Sequence, residues 1–194
     1  MNYFTPDFIA FFSELKENNH RDWFTDNKKR YEKSVKDPFS QFVGALIAEM
    51  NKSGAAIGLQ PKDAIFRINR DVRFSKNKEP YKTHTSAVLS AGGRKEKELP
   101  GFYVQLSSDT VWFGGGAYFL EKENLFMVRE YIAMHPDRYL SIINNSAFKK
   151  LYGSVLGEKN KIVPAEFKAV VDKVPDIANK QFYYMAELNA DVLL

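Results

Sequence analysis

The apolar residues of this chain change their period twice, and few folds accommodate both changes. From residue 6 to about 50 they recur every three or four positions, as on one face of a helix: Phe8, Phe12 and Leu15, widened by Phe11, and later Phe39, Phe42, Val43, Leu46, Ile47 and Met50. From Ala64 to about Gly115 the pattern shifts to the short, alternating runs of strands. Helical spacing returns with Leu125, Val128 and Ile132. Helices, then strands, then helices predict an α+β fold, an antiparallel β-sheet covered by helices from both ends of the chain. No repeat, low-complexity tract or linker divides residues 1–194, so a single domain is expected.

Local signals place the elements. Thr5-Pro6-Asp7 reads as a helix start, with Thr5 as N-cap, Pro6 at the first helical position and Asp7 facing the positive dipole end. "NNHRD" breaks that helix and opens a second, anchored by Trp23, Phe24 and Tyr31. Pro38 is expected to end or kink it, and the third stripe closes near Gly54. "AIFRI" and "THTSAVLSA" read as strands, followed by a charged loop, "GGRKEKELPG". "FYVQLSS" and "TVWFGG" flank the polar turn Ser108-Asp109, which predicts a hairpin with Val104 and Leu106 on one face and Tyr103 and Gln105 on the other. A helix from Glu121 should stop at Pro136, with shorter helices at "PDRYLSIINN", "AFKKLYG" and "PAEFKAVVDKV", and a last strand at "KQFYYMAEL".

Composition excludes several chemistries. The chain has no cysteine, so disulfides, thiolate nucleophiles and cysteine metal sites are ruled out, and a cytoplasmic location is expected. The start "MNYFTPDFIAFF" lacks the basic segment of a secretory signal, and no uncharged apolar run reaches the roughly 18 residues of a membrane span. A net charge of +4 favours acidic partners mildly. His20, His84 and His135 share no metal-binding spacing, and no cofactor motif is present, so neither metal nor cofactor is expected. His135, just before Pro136, reads as a residue at a helix C-terminus.

The most informative stretch is "IFRINRDVRFSKNKEPYKTH", Ile65 to His84, where six Arg and Lys side chains sit among aromatics. Read as extended, it places Phe66, Ile68, Val72 and Phe74 on one face, interrupted by Arg70, and Arg67, Asn69, Asp71, Arg73 and Ser75 on the other. Arginine suits planar, bidentate recognition of phosphate or carboxylate. Asp71 between two arginines can hold them in place. Lys82, His84 and Ser86 share a face of the next strand, and His84 is the one candidate acid or base. The competing reading is bracing, with Asp71 and Glu79 each satisfying an arginine.

This stretch, with "NNHRDWFTDNKKRYEKSVKDP" before it and "WFGGGAYF" and "LFMVREYI" after it, resembles the DUF2461 family of bacterial and fungal proteins. The motifs span about residues 4 to 135, and "KQFYY" near the end fits as well. The family's signature positions match at Arg67, Asn69, Arg70, Asp71, Arg73, Phe74, Lys76, Lys78, Pro80, Tyr81 and Lys82. Gly115 and Gly116 match its glycine pair, and Arg129 its following helix. The resemblance implies no particular reaction. Its relatives usually continue into a further C-terminal helix, whereas this chain stops at "ADVLL", so a shortened chain or a shorter member is expected.

Three classes of function remain open. The first is binding of an anionic small molecule, with or without a reaction, by Arg67, Asn69, Arg70, Asp71, Arg73, Lys82, His84, Gly115, Gly116 and Arg129. In it the glycines of Gly114–Gly116 let backbone approach a ligand; the alternative for them is a bulge or close packing of another segment. The second is a nucleic-acid module using the same cations plus Lys28, Lys29 and Arg30, although tight sequence-specific binding to DNA is not expected. The third is a scaffold whose basic motif is internal bracing.

Overall fold

The computed structural model of the chain describes residues 2–54 and 57–194. Among them the expected α+β architecture is present, with a four-stranded antiparallel sheet in the order β1-β2-β3-β4. The strands are β1 (His84–Leu89), β2 (Gly101–Ser107), β3 (Thr110–Ala117) and β4 (Phe182–Asn189). The contacts gather into two compact units, residues 1–96, 102–113 and 187–194 in the first, and 97–101 and 114–186 in the second. Strands β3 and β4 each contribute residues to both.

In the first unit, α1 (Pro6–Glu17) begins as its sequence dictates. Thr5 is extended, Pro6 opens the helix and the Phe8 amide donates to the Thr5 carbonyl at 2.9 Å. His20 caps α2 (Arg21–Asp26) by accepting from the Trp23 amide. The helix that follows is not ended by Pro38. Instead α3 (Lys28–Tyr31) runs through a π-helical turn at Glu32–Lys36 into α4 (Asp37–Lys52), whose first turn holds Pro38. A ring without an N–H is tolerated in a first turn, and the wider π turn lets the helical path continue across it. Gly54, at φ +93°, follows the end of α4.

Phe8, Phe11, Phe12, Leu15, Val35, Phe39 and Val43 are sealed from solvent and pack against Ala87, Leu89, Val104 and Leu106 of the sheet. Burial of each large side chain contributes about 1.5–3 kcal/mol, so this aromatic layer is the main stabiliser of the unit. The β1–β2 register pairs Thr85 with Leu106, Ala87 with Val104 and Leu89 with Phe102. The intervening pairs, His84 with Ser107, Ser86 with Gln105 and Val88 with Tyr103, therefore lie on the opposite face. The expected alternation in the hairpin holds.

"AIFRI" is not a regular strand. A short helix, α5 (Pro61–Ala64), ends where the strand was expected to begin, and the chain then runs extended beside residues 80–87. It pairs only through bridges of Ile65 with Ala87 and Asn69 with Tyr81. Between these bridges the register shifts, four positions on one side facing six on the other, and beyond them Pro80 accepts from the Arg70 amide at 2.8 Å but has no N–H to return.

The second unit holds α6 (Lys122–Met134) and α7 (Pro136–Ile143) around Ile132, Phe167, Val174 and Ile177, and α8 (Ser146–Tyr152), whose Phe148 and Tyr152 pack on Tyr184. His135 closes α6, its amide donating to the Tyr131 carbonyl at 3.0 Å. "PAEFKAVVDKV" forms a 3-10 helix at Ala165–Val170 rather than an α-helix. Its three β-branched valines, Val170, Val171 and Val174, weaken α-helical propensity there. The glycines of β3 serve packing. A Cβ on Gly114 would collide with the Tyr184 carbonyl and the Met185 backbone, and one on Gly116 with the Phe182 carbonyl.

Candidate functional site

The basic stretch is held at its base by groups that no spacing connects to it. Asn19, in the turn between α1 and α2, donates to the Tyr81 carbonyl at 3.0 Å and accepts from its amide at 3.1 Å. The Tyr81 ring stacks on Phe24 at 4.0 Å between centroids and 17° between planes. An amide side chain thus takes the place of a neighbouring strand, and the ring fixes the orientation. Sixty-two residues separate Asn19 from Tyr81, and nothing in the sequence links them.

Beyond Asn69 the expected alternation fails. Asp71 accepts from the Arg73 amide at 3.3 Å, and the Ser75 amide donates to the Val72 carbonyl at 3.4 Å, so the chain turns rather than continuing extended. Ile68 remains buried, but Phe74, expected on the same apolar face, is 96% exposed.

The turn sorts the cations into two groups. Arg73 forks onto Asp71, Nε to Oδ1 at 2.9 Å and Nη2 to Oδ2 at 2.7 Å. These bonds, aided by the nearby Arg67 guanidinium, hold the Asp71 carboxyl down at about 2. Arg70 reaches Glu79 at 3.3 Å, Glu79 also accepts from Asn77 at 2.9 Å, and Lys78 donates to the Val72 carbonyl at 3.0 Å. These contacts are the bracing that one reading of the sequence anticipated.

Arg67, Lys82 and His84 form the other group. Arg67 is exposed, whereas Lys82 and His84 are half-buried. Burial first, and then the Arg67 guanidinium, hold the Lys82 ammonium below its ordinary range. Its only close partner among the described residues is the Phe66 ring, 5.3 Å from Nζ to centroid. Burial, and then Lys82, push the His84 imidazole down to about 4, so His84 is neutral at pH 7. Along the same sheet face from His84 lie Ser86, Tyr103 and Gln105, and the Tyr103 hydroxyl donates to Gln105 Oε1 at 2.8 Å. Burial raises the Tyr103 phenol, partly offset by a hydrogen bond with Ser86. Two adjacent cations and a neutral imidazole, beside hydroxyl and amide groups, can hold an anion by charge-assisted hydrogen bonds.

Asn69, Gly115, Gly116 and Arg129 complete the expected set. Asn69 is exposed and contributes its backbone bridge. Gly115 is buried in β3 and, with Gly116 and Arg129, belongs to the second unit. Arg129 is 4% exposed and donates from Nη2 to the carbonyls of Asn179 at 2.9 Å and Ala178 at 3.4 Å. Those carbonyls follow a short 3-10 helix, Pro175–Ala178, whose negative end faces the guanidinium. Arg30, considered for nucleic acid, forks onto Glu14 at 2.6 and 2.9 Å and onto Asp7 at 2.9 and 2.7 Å.

A family model described as a conserved hypothetical protein, DUF2461, matches residues 7–194, nearly the whole chain. The chain belongs to that family. The resemblance read from the three motifs therefore extends through α7, α8 and β4 of this DUF2461 protein. No curated protein matches it. Among the described residues no helix is long and apolar enough to cross a membrane.

Proposed function

We propose that this DUF2461 protein binds an anionic small ligand, bearing phosphate or carboxylate, at Arg67, Lys82 and His84, and that it works in the cytoplasm. The observation that carries the reading is the Arg67–Lys82 pair: the Arg67 guanidinium is close enough to disfavour the Lys82 charge, and among the described residues neither forms a salt bridge with a carboxylate. Asp71, near Arg67, is already bonded to Arg73, and an anion between Arg67 and Lys82 relieves the repulsion that remains. Arg70, Asp71 and Arg73 hold the loop that presents Arg67. Asn69 keeps that loop beside Tyr81, and the proposal gives no ligand contact to Gly115, Gly116 or Arg129.

Inorganic phosphate or sulfate should raise the melting temperature. Arg67→Ala should remove the rise without unfolding the protein, because Arg67 is exposed and so contributes little to the core. An anion effect that survives in Arg67→Ala and in Lys82→Met rejects the site.

A further inference from the structure

We infer that the anion held here is a phosphate of single-stranded nucleic acid, and that one of its bases stacks on Phe74. The inference rests on the proposed role of Arg67 and Lys82 and extends it outward along the loop. Phe74 is 96% exposed, yet the turn that carries it is fixed by the Arg73–Asp71 fork, the Arg70–Glu79 pair, the Asn77–Glu79 bond and the Lys78 bond to Val72. A loop held in this way presents its aromatic ring to solvent.

The charges lead to that ring. Arg67 acts on Lys82 at the half-buried end and on Asp71 at the other, Asp71 holds Arg73, and the Arg73 guanidinium lies 5.8 Å from the Phe74 centroid. From Arg67 to Lys82 there are six cations and two carboxylates, a net +4 equal to that of the whole chain, so the rest of the molecule is neutral on balance. A segment of net positive charge that carries an open ring matches a polymer that alternates phosphates with flat, stackable faces. In a duplex those faces are covered, which favours a single strand. A lipid surface rewards several inserted apolar side chains, and this turn offers one ring between Asp71 and Glu79.

The test uses fluorescence anisotropy of a fluorescein-labelled oligodeoxythymidylate in low-salt buffer, alongside phosphate-dependent melting. Wild-type protein should bind the oligonucleotide, with affinity falling steeply as salt rises. Phe74→Ala should weaken binding about tenfold, the effect of a stack worth about 1.4 kcal/mol. It should leave the melting temperature and the phosphate effect unchanged, and Phe74→Trp should restore affinity. Arg67→Ala should diminish both phosphate stabilisation and strand binding. If phosphate stabilises the protein but the strand does not bind, or Phe74→Ala binds it as tightly as wild type, the inference fails and the anion site stands. Phe74-dependent binding to phosphatidylserine vesicles, in a protein that ignores the strand, would also overturn it. If neither phosphate nor strand has any effect, both readings fall together.

Discussion

His84 makes the half-buried end of the site measurable through acid stability. Its imidazole is pushed from an ordinary 6.5 down to about 4 by burial and by Lys82. Above pH 6.5 neither the folded nor the unfolded chain binds a proton at this residue, and His84 leaves stability unaffected. As pH falls below 6.5 the unfolded chain takes up the proton first, so the folded state loses stability until the folded imidazole titrates near 4. At about 1.4 kcal/mol per pH unit, the full difference is about 3 kcal/mol. The ring is half-buried, and solvent screening reduces the expected loss at pH 4.5 to about 2 kcal/mol. In a chain of this size that corresponds to roughly 4–8 °C in melting temperature. Carboxylates held down by arginines, such as Asp7 and Glu14, lose stability in the same direction, so the comparison must be with His84→Gln. Chemical denaturation of both proteins at pH 7.5 and 4.5 should show the wild type losing about 2 kcal/mol more than the variant. Parallel losses would mean that His84 is solvated and that the site is not desolvated as described. Phosphate should narrow the gap, because an anion beside the ring favours imidazolium.

Other substitutions separate bracing from binding. Asn19→Ala removes both hydrogen bonds to the Tyr81 backbone and should cost about 1–3 kcal/mol by urea denaturation, with faster amide exchange at Tyr81. Arg73→Ala should leave the melting temperature unchanged, since its fork to Asp71 is fully exposed, while loosening the turn that carries Phe74. Gly114→Ala forces a Cβ into the Tyr184 carbonyl and should destabilise by about 1–3 kcal/mol in thermal unfolding. Arg129→Met leaves the Asn179 carbonyl without its donor and should cost a similar amount, with no change in phosphate response.

The elements were legible where one local signal dominated. Thr5-Pro6-Asp7, the Phe8-Phe12-Leu15 stripe and the hairpin around Ser108-Asp109 needed only periodicity and turn chemistry, and each appears at its expected place. Legibility ended where two signals competed. Pro38 carries a strong break signal, but Val35 and Phe39 on either side are both buried in the same core, and a π turn reconciles the two. "AIFRI" has strand composition, but Pro61 starts a helix just before it and a shift of register between its two bridges breaks the ladder.

The site was legible as a region and illegible as a set of partners, for a physical reason. Six cations between Arg67 and Lys82 compete for two carboxylates, and spacing along the chain does not decide the pairing. An extended backbone would have put Asp71 and Arg73 side by side on one face, open to a common ligand. The Asx turn at Asp71 instead curls Arg73 back onto that carboxylate, and Glu79, nine residues from Arg70, takes that arginine together with Asn77. Both acids are then saturated. Arg67 and Lys82 are left without a salt bridge among the described residues, beside a neutral His84, while Phe74 is carried out of the apolar row by the same turn. The turn at Asp71 therefore contributes to both halves of the proposed surface. It engages the Asp71 carboxylate with Arg73 and turns the outer ring outward. Asp71→Ala should undo both together, freeing Arg73 and releasing Phe74 from its fixed turn. Asp71→Asn, which keeps the acceptor for the Arg73 amide, should preserve the turn and leave strand binding at least as tight as in the wild type. If Asp71→Asn weakens strand binding as much as Phe74→Ala does, the turn is not what organises the surface.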